Sequence, residues 1–166
     1  MSDDPLMEVV DNNDNIIGTY PRSQIRRDKM SYRLIAIFVF NNKGELFVQK
    51  RSPELKRYPD CYDSSVGGHV ELGEDYETAA KREMAEELGI TEDLEFVGKE
   101  KLVYEDAVRF VALFKCTTNK QIKIDKSEIR TGRFMGISQI NKMLVEKEKF
   151  TPVFSMLFKK FFGGNK

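Results

Sequence analysis

The stretch Gly67-Gly68-His69-Val70-Glu71-Leu72-Gly73-Glu74, continued at Arg82-Glu83-Met84-Ala85-Glu86-Glu87-Leu88-Gly89-Ile90, decides the fold. A glycine-rich loop feeds a run of helix formers from Asp75 to Leu88, which stops at Gly89, a residue suited to the left-handed C′ position. At about 100° per residue, Glu83, Glu86 and Glu87 fall within an arc of roughly 100° on one helix face. Three like charges there repel one another and sit toward the C-terminal end of the helix dipole, where negative charge is unfavourable. Packing alone gives no reason for that choice. A divalent cation removes the conflict, and an oxygen-only donor set suits Mg²⁺ or Mn²⁺. For Glu86-Glu87 taken alone, a solvated acidic face is the competing reading, because surface charge is common.

The pattern is wider than one acidic pair. Gly68, five residues, Glu74, seven residues, Arg82-Glu83, an apolar residue, any residue, Glu86-Glu87, any residue, Gly89 and apolar Ile90 form a complete Nudix box, 23 residues long. A chance match at all nine positions is on the order of one in ten million for a chain of this length. The chain therefore resembles the Nudix hydrolases, which cleave a nucleoside diphosphate linked to another moiety, X. The resemblance implies metal ligation by Glu83, Glu86 and Glu87, with the backbone carbonyl of Gly67 as a further ligand. It implies Glu74 and Arg82 as an ion pair that holds the loop onto the helix, a structural role. Glu83 is the first candidate for the general base and Glu87 the second. Mg²⁺ or Mn²⁺ would acidify the attacking water and neutralise phosphate charge. Lys50, Arg51, Lys56 and Arg57 lie just upstream and can clamp a diphosphate, Arg51 foremost and Lys56 with it. As plain surface chemistry, the same four charges are a solvated strand end and loop. A module that binds the diphosphate but turns it over weakly is the alternative function.

A second likeness lies inside the same superfamily. The N-terminal hairpin, the basic stretch Arg22–Arg27 and Ser64-Ser65-Val66-Gly67-Gly68-His69 are similar to isopentenyl-diphosphate isomerase, which transfers protons instead of hydrolysing. That enzyme needs a catalytic Cys where this chain has Gly67 and a catalytic Glu near Ala107. Of its histidine ligands only His69 is matched, and an upstream one is replaced near Arg33. Isomerisation is accordingly expected to be absent. His69 reads as a loop histidine in preference to an orphaned ligand. Glu105, in Tyr104-Glu105-Asp106 between two strands, where along a strand it would face the same way as Ala107, and Glu128, before the last strand, are two further carboxylates that either extend the site or sit solvated in loops.

Working outward, Met7–Val10 and Ile16–Tyr20 flank a run of turn formers and read as a hairpin, followed by a short basic helix or turn over Pro21–Lys29. Tyr32–Asn41 and Glu45–Arg51 read as strands, Ser52–Ser65 as loop, and Gly67–Glu74 as loop again. Strand signals return at Leu94–Val97, Lys101–Tyr104 and Val108–Cys116, and more weakly at Ile122–Ile124 and Arg133–Met135. Helices are expected over Ile137–Lys147 and after Thr151-Pro152, where Phe154, Leu157, Phe158 and Phe161 make a stripe at helical spacing. The stripe reads as core first and as a homodimer surface second. The sum is an α+β fold, an α/β/α sandwich with a mixed β-sheet and a catalytic helix, in one domain over 1–166 whose first 30 residues pack on it as hairpin and short helix.

Composition limits the partners. In 166 residues, 27 Lys and Arg balance 27 Asp and Glu, which argues against a nucleic-acid polymer as partner but not against a small-molecule diphosphate substrate held by a local basic patch. Cys61 and Cys116 are too few for a disulfide framework. No apolar run approaches a membrane span, and the acidic N-terminus lacks a signal-peptide layout, so a cytoplasmic location is expected.

Overall fold

The computed structural model describes residues 4–163. Thirteen elements follow in chain order: β1 (Leu6–Val10), β2 (Ile16–Pro21), α1 (Arg22–Arg27), β3 (Tyr32–Phe40), β4 (Leu46–Arg51), β5 (Tyr62–Asp63), β6 (Val66–His69), α2 (Tyr76–Leu88), β7 (Glu95–Tyr104), β8 (Ala107–Thr117), β9 (Ile129–Met135), α3 (Ile137–Val145) and α4 (Pro152–Phe161). The main sheet runs β5-β4-β3-β8-β7, with β6 beside β3 and β9 beside β4. It is mixed, because β3 and β8 are parallel while the other pairs are antiparallel.

Alternation along β3 builds both cores at once. Ile35, Ile37 and Val39 face α2 and pack on Ala79, Ala80, Met84 and Leu88. Ala36 and Phe38 point the other way, onto Ile140 of α3 and the α4 residues Phe154, Leu157 and Phe158. The C-terminal Phe stripe is thus buried inside the fold, with Phe38 and Phe154 ring centroids 5.6 Å apart. A third cluster of Met7, Val9, Ile25 and Tyr32 seats the hairpin and α1 on β3. The hairpin tip is also tied down: Asp14 accepts from Arg33 Nε at 2.7 Å, Tyr76 Oη at 2.9 Å and Lys99 Nζ at 2.5 Å.

Strand β3 pairs with β6 over its first half but meets β4 only at Phe40↔Leu46. The buried Ser65 hydroxyl spans the split, donating to the Phe47 carbonyl and accepting from the Val39 N–H at 2.8 Å. The C-terminal half of α2 meets the sheet at this parting, where Gln49 of β4 donates to both the Ser65 carbonyl and Glu87.

Several sequence expectations change. The glycine-rich residues 66–69 are a strand, not loop, because β3 supplies the ladder that their composition does not signal. The two expected strands at 94–104 are one, β7, carrying a bulge between Phe96 and Gly98. Ile122–Ile124 joins no sheet; instead Lys123 N–H and Asp125 N–H donate to the Leu88 and Glu87 carbonyls, both at 2.9 Å, and so complete the C-terminus of α2.

Candidate active site

Helix α2 starts at Asp75, whose side chain accepts from Thr78 N–H, and ends at Gly89 with φ 63°. Between those caps the apolar face is fixed against the sheet, which leaves the three carboxylates on a graded arc. Glu87 is buried at 4% exposure, the Glu83 side chain is 14% exposed and the Glu86 side chain 59%. Gly68 explains how Glu83 fits: a Cβ there would lie 2.3 Å from the Glu83 carboxyl carbon. Gly67 has no such constraint, since its nearest neighbour to an added Cβ would be the Ile35 carbonyl at 3.9 Å.

Arg82 is the hub of the loop–helix junction. It pairs with Glu74 through Nε at 2.7 Å and Nη2 at 2.9 Å, and Nη2 also reaches the His69 carbonyl at 3.1 Å. Its Nη1 lies 2.9 Å from Glu83 and 3.3 Å from Glu86. These contacts raise the Arg82 pKa further, with the Glu74 hydrogen bond the largest contribution. Glu87 turns away from Arg82 and accepts from Gln49 Nε2 at 2.9 Å.

Burial pushes the Glu83 carboxyl up to about 7, even against the pull of Arg82, and Glu86 and Glu128 add repulsion. Burial likewise lifts Glu87 well above the carboxylate range, with Glu83 and Glu128 adding repulsion. Among the described residues, no three acidic, imidazole or thiol groups already converge on one centre. The donors present nevertheless fit a divalent cation: all are oxygens, and the buried Glu87 is answered by one neutral amide where a positive charge is wanted. Glu83, Glu86 and Glu87 are the residues able to hold it.

The cleft beside these carboxylates has a volume of about 650 Å³, with Ala36, Gly67 and Gly68 in its lining. Arg51 and Lys56 both line it. Arg51 is braced by Asp63 at 3.3 Å and by the Arg57 carbonyl at 3.1 and 3.3 Å, so it also fixes the 52–63 loop. Lys56 is in no ion pair among the described residues. Glu128 reaches the cleft as well, brought in by the Ser52 N–H bond to its carbonyl at 2.8 Å.

Glu105 is not on a strand. It lies with Asp106 in the two-residue turn joining β7 to β8, at φ 52° and 57°, so alternation with Ala107 does not apply. Its carboxylate receives Tyr58 Oη at 2.6 Å and the Arg57 guanidinium. His69 lies on β6, stacked on Tyr32 at 5.5 Å between ring centroids. Burial first, then Arg22, Arg26, Arg57 and Arg109, lower its pKa to about 3, so the ring is neutral.

Gln49 touches the candidate site and was not legible as part of it in the sequence. Gln49 opens the polar run Gln49-Lys50-Arg51 and so carries no core signal, yet residues 46–49 of β4 are covered on both faces and Gln49 is 3% exposed. Its amide donates to both Glu87 and the Ser65 carbonyl at 3.2 Å. Replacing Gln49 with Leu leaves those acceptors unanswered and lowers unfolding free energy by about 1–3 kcal/mol. Urea titration measures it; a change below about 0.5 kcal/mol, the scale of an ordinary surface substitution, contradicts the role.

Comparison with known proteins agrees with this geometry. The NUDIX domain family matches residues 30–154, and the chain belongs to that family. An uncharacterized Nudix hydrolase from Nostoc sp. is 40% identical over 105 residues, which span 63% of this chain and 61% of that relative. An isopentenyl-diphosphate Delta-isomerase 2 from Photorhabdus laumondii is 28% identical over 97% of this chain and 92% of its own. In three dimensions, the crystal structure of DR0079 from Deinococcus radiodurans superposes with a TM-score of 0.84 at 21% identity, covering 95% of this chain and 99% of the other. The alignment spans about three fifths of the Nostoc relative's length, and the Nudix fold here is an α/β/α sandwich. Among the described residues, no helix is long and apolar enough to cross a membrane.

Proposed function

We propose that the protein is a Mg²⁺- or Mn²⁺-dependent hydrolase of nucleoside diphosphate–X compounds, attacking phosphorus with water. The observation that carries this reading is the carboxylate arc itself: Glu83 and Glu87 are held next to one another, both partly or wholly shut off from solvent, with too little positive charge to neutralise them. Glu83, Glu86 and Glu87, with the Gly67 carbonyl, would hold a divalent cation, which would supply charge neutralisation and an acidified water. Glu83 takes the water's proton as first candidate and Glu87 as second. Arg82 keeps Glu83 oriented through a bond that Glu74 anchors from the other side. Arg51 and Lys56 hold the diphosphate oxygens at the cleft rim. Lys56 brings a free ammonium, and Arg51 a guanidinium fixed by Asp63.

The likeness to isomerases over most of the chain makes proton transfer the rival chemistry. Allylic isomerisation needs an acid and a base on opposite faces of a carbon skeleton. Gly67 and Ala107 carry neither, and Glu105 is spent on Arg57 and Tyr58. A panel of nucleoside diphosphate derivatives with Mg²⁺ or Mn²⁺ is expected to release monophosphate. Isopentenyl diphosphate in heavy water is expected to gain no carbon-bound deuterium at an enzymatic rate. Tight binding of one panel member without turnover of any would favour the binding module, and deuterium incorporation would favour the isomerase.

A further inference from the structure

The cleft has a second charged wall that the carboxylate chemistry does not use. Arg22 opens α1, Arg26 follows one turn later, and both line the cleft beside His69. Arg22 Nη2 lies 3.4 Å from each ring nitrogen of His69, a neutral partner. Arg22 Nε is closed off from solvent with no acceptor at all. The other arginines that are not exposed each face a carboxylate: Arg33 faces Asp14, Arg51 Asp63, Arg82 Glu74, and both Arg57 and Arg109 Glu105. Arg22 is the exception among the described residues, and Arg26 is in no ion pair there either. Asp4 and Glu128 act on Arg22 only through space, and no carboxylate among the described residues is in ion-pair contact with it. A half-buried guanidinium beside a second one is costly unless an anion makes that contact.

The pleat of β6 separates this wall from the carboxylates. Gly68 faces Glu83, so the next residue, His69, faces the other side, toward Arg22 and Tyr32. Resting on the diphosphate-cleaving reading above, we propose that Arg22 and Arg26 form, over the ring of His69, a second oxyanion subsite that takes an anionic group on the X part of the substrate. The Arg22 guanidinium lines the cleft and brings a charged N–H donor to an oxygen of a carboxylate or phosphate there. Arg26, exposed at the mouth, adds charge that draws the anion in.

The chain holds one histidine, so a ¹⁵N-histidine label reports this wall alone. Without divalent metal, inorganic phosphate and then acetate are titrated at constant ionic strength. The His69 ring resonances are expected to move saturably with phosphate, acetate or both, which tells the two oxyanions apart. Arg22→Gln and Arg26→Gln are each expected to weaken that binding about tenfold, the usual scale for one charge-assisted contact. No saturable movement with either anion, or undiminished saturation in both variants, overturns the subsite. Arg26 is exposed, so Arg26→Gln leaves the core intact should Arg22→Gln fold poorly.

A second arm compares UDP-glucuronate with UDP-glucose, which differ by one carboxylate on X. The wild type is expected to favour the glucuronate in kcat/KM by about tenfold or more, chiefly through KM, if acetate moved the resonances. In Arg26→Gln the ratio should fall toward one. A ratio unchanged by the substitution overturns the assignment to X. A saturable, arginine-dependent shift with no cleavage of any diphosphate would leave the anion subsite standing and remove the hydrolase reading. Cleavage with no such shift would do the reverse.

Discussion

Glu87→Gln should lower turnover of the best panel substrate by at least about 100-fold, because the change deletes a charge from the carboxylate arc while keeping its shape. The same substitution should stabilise the metal-free protein. Burial, with repulsion from Glu83 and Glu128, raises the Glu87 pKa in the folded state. A carboxyl with a raised folded pKa contributes stability that is fully present below its unfolded pKa and is lost as pH rises through the folded value. The metal-free wild type therefore loses stability relative to Glu87→Gln from about pH 4.5 upward. At pH 8 the variant should lead by roughly 1–3 kcal/mol, the usual scale for relieving an uncompensated buried group. Comparing the two proteins at each pH is needed, because His69 works in the opposite direction: its lowered pKa costs stability as pH falls from 6.5 toward 3. Adding Mg²⁺ should reverse the ranking, since only the wild type keeps its full ligand set and gains by mass action. Thermal melts across pH, with and without Mg²⁺, check each part. Rate loss below threefold, or equal stabilisation of both proteins by Mg²⁺, would remove Glu87 from the site.

Gly68→Ala is the second large effect, and it separates activity from stability. The new Cβ would lie 2.3 Å from both Cδ and Oε1 of Glu83, so the carboxylate must leave its place. That carboxylate is the free end of a long side chain, and moving it costs little folding energy. The thermal midpoint should shift by only a few degrees, the equivalent of about 1 kcal/mol in a domain of this size. Catalysis is less forgiving, because displacing a reacting group by about 1 Å can cost on the order of 100-fold. Wild-type kcat/KM in a folded Gly68→Ala protein would show that Glu83 has no part in the chemistry. Gly67→Ala is the control. It meets nothing nearer than 3.9 Å, so its backbone carbonyl stays in place.

How far the fold could be read from sequence varied with what sets each element. Helix α2 was legible because its signals are local: the run of helix formers from Asp75 to Leu88 and the stop at Gly89 lie within one segment. The Glu74–Arg82 pair was legible for the same reason and forms at 2.7 Å. Strand β6 was not, since Gly67 and Gly68 carry no strand signal and become a strand only by pairing with Ala36 and Ile35. Gln49 was hidden because it opens a polar run, while residues 46–49 of β4 have no wet face. Glu105 was legible as lying between two strands, but not the direction of its side chain, because its tight turn uses two non-glycine residues at positive φ, where an Asn-Gly signal would normally mark it. The basic wall was visible only as the stretch Arg22–Arg27. That Arg22 lacks a carboxylate depends on where α1 docks, which the third core cluster determines.

The most direct test of the account is hydrolysis of the best nucleoside diphosphate substrate in H₂¹⁸O, with Mg²⁺ and with chelator, followed by mass analysis of both products. Divalent-dependent cleavage is predicted to place one ¹⁸O on a phosphate product and none on the X group, in the wild type and, at the residual rate, in Glu87→Gln. Label on carbon of the X group, or cleavage at the same rate in chelator, would contradict water attack on phosphorus by the carboxylate site.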